Sequence, residues 1–369
     1  MKSVLFLIPT LGGGGAEKVL VNLANNLNKS KYTVTVQTIF KGGVHTSKLN
    51  RDITYLSGKS KAFRGNVRLF KFFSPQFLYK RIVKKRYDIV VAYLEGVACR
   101  IVSGCPYTDS KLVGWIHREQ KTKKVASYAF RSEKEMNRAY NRFDKIVCVA
   151  DTVKHDFESL IELKKNCVVL YNTNETDEIY ELEKEGLGEF SFSKELNLIS
   201  VGRLVSLKGF DRLINIHKKL LDKGVKNHLY ILGTGQKKCE LEYQIKTLNV
   251  ENSVHLLGFQ ENPYKYIANA DLFICSSKSE GFSTAVTEAL IVGTPVVSTN
   301  CSGAYELLGG NNEYGIVVKQ DEEDLLQAVY YILTEEGALA YYKRQAQKRG
   351  AFFSKEKTVV AVENMLDSL

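Results

Sequence analysis

Two glutamates, Glu280 and Glu288, stand at a spacing that suits ligand binding at the end of a strand. Seven residues separate them, and the apolar run Leu272–Cys275 precedes both. The run predicts a buried strand, the polar residues after it predict a loop, and Ser283 or Thr284 can cap a following helix. One carboxylate is then expected on the loop and the other about one helical turn inside. Both can face the crevice at the carboxyl end of a parallel sheet, where open α/β folds bind ligands.

This stretch, Glu-Gly-Phe-Ser with a second Glu after seven residues, resembles the signature of the retaining GT-B glycosyltransferases of family 4. The resemblance implies that Glu288 accepts hydrogen bonds from the ribose of a nucleotide sugar and that Glu280 lies near the donor sugar. It also places the backbone N–H groups of Gly281, Phe282 and Ser283 near the sugar and phosphate. The implied fold is α/β, with two doubly wound Rossmann-like domains facing a central cleft. The implied reaction moves a sugar to a hydroxyl with retention at the anomeric carbon.

A second match lies near residue 200, where Gly202 and Arg203 follow a predicted strand and Lys208 precedes a predicted helix. The spacing resembles the family's diphosphate-binding motif. Transfer from a nucleotide sugar builds negative charge on the β-phosphate, which two cations and a helix N-terminus stabilise. Arg203 can hold two phosphate oxygens as a fork, while Lys208 acts as a point charge. These cations can replace a divalent metal, so neither a metal nor another cofactor is expected.

The N-terminal half carries a glycine-rich turn between a predicted strand and a predicted helix. Gly14 and Gly15 belong to a Gly-Gly-Ala-Glu segment similar to the family's N-terminal glycine motif. The resemblance implies that these glycines lie against the donor diphosphate across the cleft. A dinucleotide site is the rival interpretation, but Glu17 occupies the third glycine position and no acid closes the second strand.

Three further positions follow predicted strands. His117 is similar to the family histidine near the donor sugar and can hydrogen-bond a sugar hydroxyl, although a purely structural histidine is an alternative. Glu95 is expected to meet the acceptor. Gly258 and Phe259 are expected to border the nucleobase, and core packing would explain Phe259 equally well.

The segment Lys59–Arg86 is the most biased in the chain, with aromatic residues interleaved among cations and no acid. Such a pattern predicts contact with an anionic membrane surface. A solvated basic helix and a nucleic-acid site are the alternatives, and no nucleic-acid motif accompanies the segment. Its cations are Lys59, Lys61, Arg64, Arg68, Lys71, Lys80, Arg81, Lys84, Lys85 and Arg86.

Alternating strands and helices occur twice, so two domains are predicted. The first covers residues 1–175 and the second covers residues 190–350. The family resemblance implies that the first is on the acceptor side and that the second binds the nucleotide sugar. Residues 173–194 are acidic and lack sustained periodicity, which predicts a linker. Residues 124–142 predict one long helix. A C-terminal helix is predicted at about residues 354–369, and the GT-B resemblance implies that it packs back onto the first domain.

The amino-acid composition limits the classes of protein to which this chain can belong. The 369 residues are 44% hydrophobic, enough for two cores, and no apolar run approaches the ~20 residues of a transmembrane helix. The apolar run at residues 4–9 does not have the form of a signal peptide. Seven scattered cysteines, Cys148 and Cys275 among them, indicate buried thiols in a reducing compartment. The protein is therefore expected in the cytoplasm, peripheral at the inner face of the cell membrane.

The expected partners are a nucleotide sugar, with a UDP-sugar favoured from family frequency, and a glycan or lipid-linked glycan of bacterial surface polysaccharide synthesis. Nucleic acid is not expected. Two alternatives share the fold. A sugar-nucleotide epimerase would act without an acceptor, and a non-catalytic nucleotide-sugar-binding protein would show no turnover. The presence of Arg203, Lys208, Glu280 and Glu288 together argues against a decayed site.

Overall fold

The computed structural model describes residues 1–61, 65–164 and 167–369. Arg64, one of the cations of the basic segment, lies outside the described residues. The chain divides into two compact units. Unit 1 contains Met1–Asn174 and Glu356–Leu369, and unit 2 contains Glu175–Lys355.

Unit 1 alternates strands and helices along the chain. Its elements are β1 (Lys2–Ile8), α1 (Gly15–Asn26), β2 (Tyr32–Thr38), β3 (Thr54–Leu56), α2 (Asn66–Phe70), α3 (Pro75–Ile82), β4 (Ile89–Ala92), α4 (Val97–Val102), β5 (Lys111–Ile116), α5 (Lys123–Ala126), α6 (Glu133–Tyr140), β6 (Lys145–Cys148), α7 (Asp151–Leu160) and β7 (Val168–Val169).

The strands of unit 1 form a parallel sheet in the order β3-β2-β1-β4-β5-β6-β7. The central strands β1 and β4 are almost completely buried, as expected for continuous apolar runs covered on both faces. The strand order reverses between β1 and β4. In doubly wound sheets the carboxyl ends of the strands at such a reversal form a ligand crevice.

Unit 2 repeats the plan. Its elements are α8 (Thr176–Leu182), β8 (Leu196–Val201), α9 (Phe210–Asp222), β9 (Asn227–Leu232), α10 (Lys238–Thr247), β10 (Val254–Gly258), α11 (Tyr264–Ala268), β11 (Leu272–Cys275), α12 (Thr284–Ile291), β12 (Val296–Thr299), α13 (Ala304–Leu308), β13 (Ile316–Val318), α14 (Glu322–Thr334) and α15 (Ala338–Gly350). The parallel sheet has the order β10-β9-β8-β11-β12-β13, so its reversal lies between β8 and β11.

The last helix, α16 (Lys355–Asp367), packs on unit 1. Leu366 is fully buried there, and the Asn28 backbone N–H donates to Glu363 over 2.7 Å. The Tyr32 hydroxyl donates to Asp367 over 2.5 Å. The helix therefore joins the fold of the N-terminal unit although more than 300 residues separate these partners.

The single long helix predicted over residues 124–142 is wrong. The structure has two short helices, α5 and α6, and each begins at its own capping residue. The Thr122 side chain accepts from the Val125 N–H, and the Ser132 side chain accepts from the Glu135 N–H. Ser and Thr favour such caps over helix interiors, which explains the break before Ser132.

The linker predicted over residues 173–194 contains a helix, α8, that belongs to unit 2. Ile179 is 1% exposed and packs with Tyr264 and Ile291. A helix of seven residues is too short to produce a sustained apolar repeat, so its tertiary contacts decide its position.

Two compositional expectations can be compared with the structure. All seven cysteines are free thiols, and all except Cys239 are buried, as predicted for Cys148 and Cys275. No helix in the described residues has the length and apolar character needed to cross a bilayer.

Candidate active site

The strand reversal of unit 2 brings together Lys208 and Glu280, which are 72 residues apart in sequence. The Lys208 ammonium lies 2.5 Å from Glu280 Oε1. The Ser277 hydroxyl donates to the same oxygen over 2.6 Å. Lys208 follows β8, and Ser277 and Glu280 follow β11, so adjacent strands deliver these side chains to the same edge of the sheet.

The loop before α9 is fixed by backbone contacts to the loop after β11. Gly209 has φ +65°, and a Cβ there would lie 2.3 Å from the Ser276 carbonyl oxygen, so only glycine fits. The Ser276 hydroxyl donates to the Lys208 carbonyl over 2.8 Å. The buried Arg212 donates its Nε to the Ser276 carbonyl over 2.9 Å. These contacts hold Lys208 at the carboxyl end of β11.

The electrostatics of Lys208 follow from these neighbours. Burial acts to lower the pKa of Lys208, but the charge of Glu280, with smaller contributions from Cys275, from the Glu280 hydrogen bond and from Cys301, raises it overall. Lys208 is therefore a stable cation across the physiological pH range. A cation at the carboxyl end of a parallel sheet attracts phosphate oxygens, as the diphosphate prediction requires.

Helix α12 positions the second glutamate. The Ser283 side chain caps the helix by accepting from the Val286 N–H, as predicted, and Thr284 is the first helical residue. Glu280 lies on the loop and Glu288 in the helix, which confirms the predicted local structure. Glu288 is only 5% exposed.

The residues between Glu280 and the start of α12 form a tight loop. Phe282 is 5% exposed and its ring packs edge-on against Phe353 at 5.9 Å. Gly303 has φ +76°, and a Cβ there would lie 3.0 Å from the Gly281 carbonyl oxygen. The Phe282 side chain thus anchors the loop, while Gly281 and Ser283 lie on either side of it.

Arg203 and Gly202 lie directly after β8, as predicted. The Arg203 side chain is exposed, and it has no side-chain partner among the described residues. The Gly202 backbone is closely approached by Gly233, where a Cβ would meet the Gly202 carbonyl oxygen at 1.9 Å. On its other side, Gly202 lies beside Lys208, because a Cβ built at Gly202 would lie 3.2 Å from the Lys208 side chain.

Gly258 ends β10 with φ +72°, and Phe259 follows it. The Phe259 side chain is 74% exposed, so the alternative that it packs in the core is wrong. No contact in the described residues joins Phe259 to Lys208 or Glu280. Its part in binding a nucleobase stays a prediction.

Unit 1 places His117 directly after β5, with its ring 4.8 Å from that of Tyr93. Its Nε2 is buried and has no hydrogen-bond partner among the described residues. Burial lowers the pKa of His117 to about 3, so the ring is neutral at physiological pH. A neutral imidazole with an unpartnered nitrogen can exchange a hydrogen bond with a hydroxyl group.

Glu95 follows β4 and is 6% exposed. Its carboxylate accepts the His117 backbone N–H over 3.0 Å and the Arg118 Nε over 3.0 Å. Both carboxylate oxygens are thus engaged by the loop that carries His117. Within the described residues these contacts hold the loop in place, and the predicted contact of Glu95 with an acceptor stays a prediction.

Gly14 and Gly15 begin α1, with Gly14 at the N-cap and no side-chain cap. A Cβ at Gly14 would lie 2.2 Å from Glu17 Oε2, so this carboxylate folds back over the helix start. Gly14, Gly15, Glu95 and His117 belong to unit 1, and the other predicted site residues belong to unit 2.

Sequence reasoning missed Ser277, Ser276 and Arg212. Ser277 holds Glu280, and Arg212 holds the loop that carries Ser276. Arg212 stands in the first turn of α9 among apolar residues. Its place on the apolar face of the predicted helix could have indicated that its side chain is buried. The two serines had no signal beyond their position after a strand.

Comparison with known proteins supplies the family. Residues 188–349 match the family model of glycosyl transferases group 1, and residues 13–178 match the model of glycosyltransferase family 4. The two matches together span most of the chain.

The chain is 34% identical over 221 residues to the N-acetylgalactosamine-N,N'-diacetylbacillosaminyl-diphospho-undecaprenol 4-alpha-N-acetylgalactosaminyltransferase of Campylobacter jejuni, covering 58% of each protein. It spans 58% and 44% of the length of the first two curated relatives it matches. A second enzyme of that organism, the GalNAc-alpha-(1->4)-GalNAc-alpha-(1->3)-diNAcBac-PP-undecaprenol alpha-1,4-N-acetyl-D-galactosaminyltransferase, is 24% identical over 95% of this chain and 94% of its own.

The fold is also that of HepE from Anabaena, which was crystallised in complex with UDP. That protein has 20% sequence identity, a TM-score of 0.79 and complete coverage of both chains. Two parallel-sheet units with this likeness confirm the expected GT-B fold. The chain belongs to the family 4 glycosyltransferases of the group 1 type.

Proposed function

We propose that this protein transfers a sugar from a UDP-sugar to a hydroxyl of a lipid-linked glycan in bacterial surface polysaccharide synthesis, with retention at the anomeric carbon. The observation that carries the proposal is the Lys208–Glu280–Ser277 cluster at the strand reversal of unit 2. Departure of a nucleoside diphosphate builds charge on the β-phosphate. Lys208 and the exposed Arg203 are the cations that would stabilise this charge.

The remaining roles are proposed from the family resemblance, and the position of each residue in its unit is compatible with them. Glu280 orients the Lys208 ammonium and lies near the donor sugar, and Glu288 in α12 accepts hydrogen bonds from the ribose. The neutral His117 ring offers its unpartnered Nε2 to a sugar hydroxyl. Gly14 and Gly15 at the start of α1 approach the diphosphate, and Gly258 and Phe259 border the base.

The experiment for the donor is thermal shift with UDP, GDP and ADP, followed by their sugars. A ligand that binds only the folded protein stabilises it by about 2.7 kcal/mol at about a hundredfold excess over Kd. UDP should raise the melting temperature and GDP and ADP should not. Stabilisation by none of the three nucleotides would contradict the proposed donor class.

Retention is tested by proton NMR of the product formed early in the reaction. The anomeric coupling of the transferred sugar should match that of the donor. An inverted product would remove the stereochemical part of the proposal and leave the donor assignment in place.

No metal is required in this proposal, because Arg203 and Lys208 already supply positive charge to the diphosphate. Activity should therefore survive a chelator. Complete loss that Mg²⁺ or Mn²⁺ restores would overturn this part.

The lipid-linked acceptor is supported by the Campylobacter relatives, whose names specify diphospho-undecaprenol and PP-undecaprenol substrates. We infer that the protein works in the cytoplasm at the inner face of the membrane, held by the basic segment Lys59–Arg86. The test is co-sedimentation with anionic vesicles of a variant with Lys80, Arg81, Lys84 and Lys85 changed to Glu. It should stay in the supernatant while the parent pellets.

A control variant changes four exposed cations of unit 2 to Glu and so has the same net charge. Its substitutions are at Lys226, Lys343, Arg344 and Lys348. This variant should pellet like the parent. If the control variant also stays in the supernatant, binding depends on net charge only. If both variants pellet like the parent, the basic segment has no part in binding.

A further inference from the structure

Large apolar side chains stand exposed on the turn between α2 and α3 and on the first helical turn of α3 in unit 1. Phe72 is 78% exposed, Phe77 is 52% exposed and Phe73 is 46% exposed. The Phe73 and Phe77 rings stack at 5.1 Å with an interplanar angle of 17°. We call Phe72, Phe73 and Phe77 the phenylalanine turn. Contiguous exposed apolar groups mark an interaction surface, because water solvates them poorly.

A buried arginine holds this turn in place. Arg100, 1% exposed, donates to the Phe70 carbonyl over 2.7 Å and to the Phe73 carbonyl over 2.8 Å. Its guanidinium also pairs with Glu135 at 2.9 Å. Burying a charged group is costly unless its hydrogen-bonding groups have partners. These bonds supply the partners and so fix the Arg100 side chain in this position.

A second arginine acts on the same turn from outside. Arg131 donates its Nε to the Lys71 carbonyl over 2.6 Å and an Nη to the Phe72 carbonyl over 3.1 Å. Its own backbone N–H is accepted by Glu135 over 2.6 Å. Four consecutive carbonyls, from residue 70 to residue 73, are thus bound by two guanidiniums. The phenylalanine side chains are therefore presented by an ordered backbone.

Helix α3 continues from this turn and is anchored on its inner face. The Ser74 side chain caps it by accepting from the Phe77 N–H over 3.2 Å, and Leu78 and Tyr79 are buried. Gly104 permits the close approach of its first turn, since a Cβ there would lie 2.1 Å from the Pro75 carbonyl. The cap and the buried inner face therefore fix the position of α3, and its outer face is left exposed.

Cations flank the phenylalanine turn on the same segment. Lys80, Arg81, Lys84 and Lys85 are exposed, and in the described part of the chain no carboxylate lies within 4.0 Å of their charged groups. Arg86 differs, because it pairs with Asp109. Apolar side chains beside unneutralised cations match the two layers of an anionic membrane surface, acyl chains and lipid phosphates.

We propose that the phenylalanine turn inserts into the headgroup boundary of an anionic bilayer while the cations of α3 and the residues after it contact lipid phosphates. This inference rests on the proposed lipid-linked acceptor and adds a specific inserting element to it. A second copy of this chain is a poorer occupant, because a symmetric contact would bring the same cations face to face.

The experiment places a fluorescent reporter at the tip of the turn. The chain has one tryptophan, Trp115, which is 2% exposed and gives a constant baseline in the parent protein. Phe72→Trp should show a blue shift on addition of phosphatidylglycerol vesicles and quenching when their acyl chains are brominated. Tyr243→Trp, at a position 74% exposed in unit 2, is the matched control and should show neither change.

A second variant removes the apolar groups and keeps every charge. Phe72→Ser, Phe73→Ser and Phe77→Ser together should weaken binding to anionic vesicles by about tenfold or more, because interfacial affinity scales with buried apolar area. The melting temperature should be unchanged, since these side chains are exposed. Transfer to a vesicle-embedded acceptor should fall, while transfer to a soluble acceptor analogue should not.

The outcomes separate this inference from the proposed function. If Phe72→Trp pellets with vesicles but shows no blue shift, the contact is electrostatic only and insertion is wrong. A blue shift that appears with protein concentration in the absence of vesicles would indicate self-association and would also overturn it. If neither acceptor is glycosylated by the parent protein, the proposed function fails, and the fluorescence result still decides insertion.

Discussion

Lys208 is held by Glu280 at 2.5 Å, and Glu280 is held in turn by the Ser277 hydroxyl at 2.6 Å. A flexible lysine side chain loses much of its rotamer freedom in such a site. Its charge is then oriented by the protein rather than by the substrate, which is the condition for efficient stabilisation of a developing charge.

Lys208→Met should therefore reduce kcat by about 10²–10³, as loss of one partner of a developing charge does. The Met side chain keeps the apolar part of lysine but leaves the Glu280 carboxylate without its cation, so the melting temperature of the variant is measured alongside its rate. Steady-state kinetics with UDP-sugar measures the effect. Lys226→Met, an exposed position in the same unit, is the control and should keep the parent rate. Equal rates for the two variants would exclude Lys208 from the reaction.

Glu95 has contacts in the structure that the sequence did not predict, because its carboxylate accepts hydrogen bonds from the loop that carries His117. Glu95→Gln retains an acceptor for the His117 N–H but loses the charge that holds Arg118. We expect kcat to fall by about tenfold, because a positioning residue acts through the group that it orients. Glu133→Gln, an exposed glutamate of α6, should be neutral. A large rise in the KM for the acceptor, with kcat unchanged, would favour the original acceptor-contact interpretation.

At the scale of elements, the short connections after β8 and β11 do more than join strands. The two connections contact each other through their main chains. For example, the Lys278 N–H donates to the Leu207 carbonyl over 2.7 Å. Helix α9 begins after Gly209, whose left-handed backbone suits the turn into the helix. Helix α12 begins after Ser283, whose side chain caps it. Loop geometry and helix starts therefore fix the site together.

Gly209→Ala should disrupt the loop before α9, because the added Cβ would lie 2.3 Å from a backbone oxygen that cannot move aside cheaply. A left-handed φ adds strain of order 1 kcal/mol for alanine. We expect lower stability of unit 2 and at least a tenfold loss of UDP affinity, measured by calorimetry. Gly224→Ala has a comparable positive φ with nothing within 4 Å of its Cβ, and it should cost strain only, with UDP affinity retained.

At the scale of the whole molecule, the chain passes through unit 1 twice. The Lys2 ammonium donates to the Leu366 carbonyl over 3.1 Å, so the two ends of the chain meet in one unit. Residues 356–369 therefore contribute to the stability of the N-terminal unit, although the sequence between them and β7 folds as unit 2.

Leu366→Ala should destabilise unit 1 by about 2–5 kcal/mol, the usual cost of removing a fully buried leucine side chain. Val360→Ala, at a position on the same helix that is 52% exposed, should cost far less. Thermal unfolding with and without UDP distinguishes the units, because the ligand-dependent transition of unit 2 should stay in place. A shift of that transition by Leu366→Ala would show that the two units unfold together.

Local sequence patterns predicted the parts of this fold that depend on neighbours along the chain. The apolar runs of β8 and β11, the Ser283 cap and the placement of Glu280 on a loop and Glu288 in a helix are all of this kind, since burial and capping act within a few residues. The same patterns failed for residues 124–142, where two helices replace one, because capping by Ser132 outweighed the helix propensity of its neighbours.

The sequence by itself therefore determined the family, the two α/β repeats and the residue types at the strand ends. Motif spacing and hydrophobic periodicity depend only on the order of residues over short stretches of the chain. Only the tertiary structure decided that Glu280 pairs with Lys208, that Glu95 holds the His117 loop and that Glu363 and Asp367 of α16 bind Asn28 and Tyr32 of unit 1. Each of these contacts joins residues brought together by strand order or by packing of a distant helix. Such neighbours follow from the burial of apolar surface across the whole unit, which no local stretch of sequence specifies.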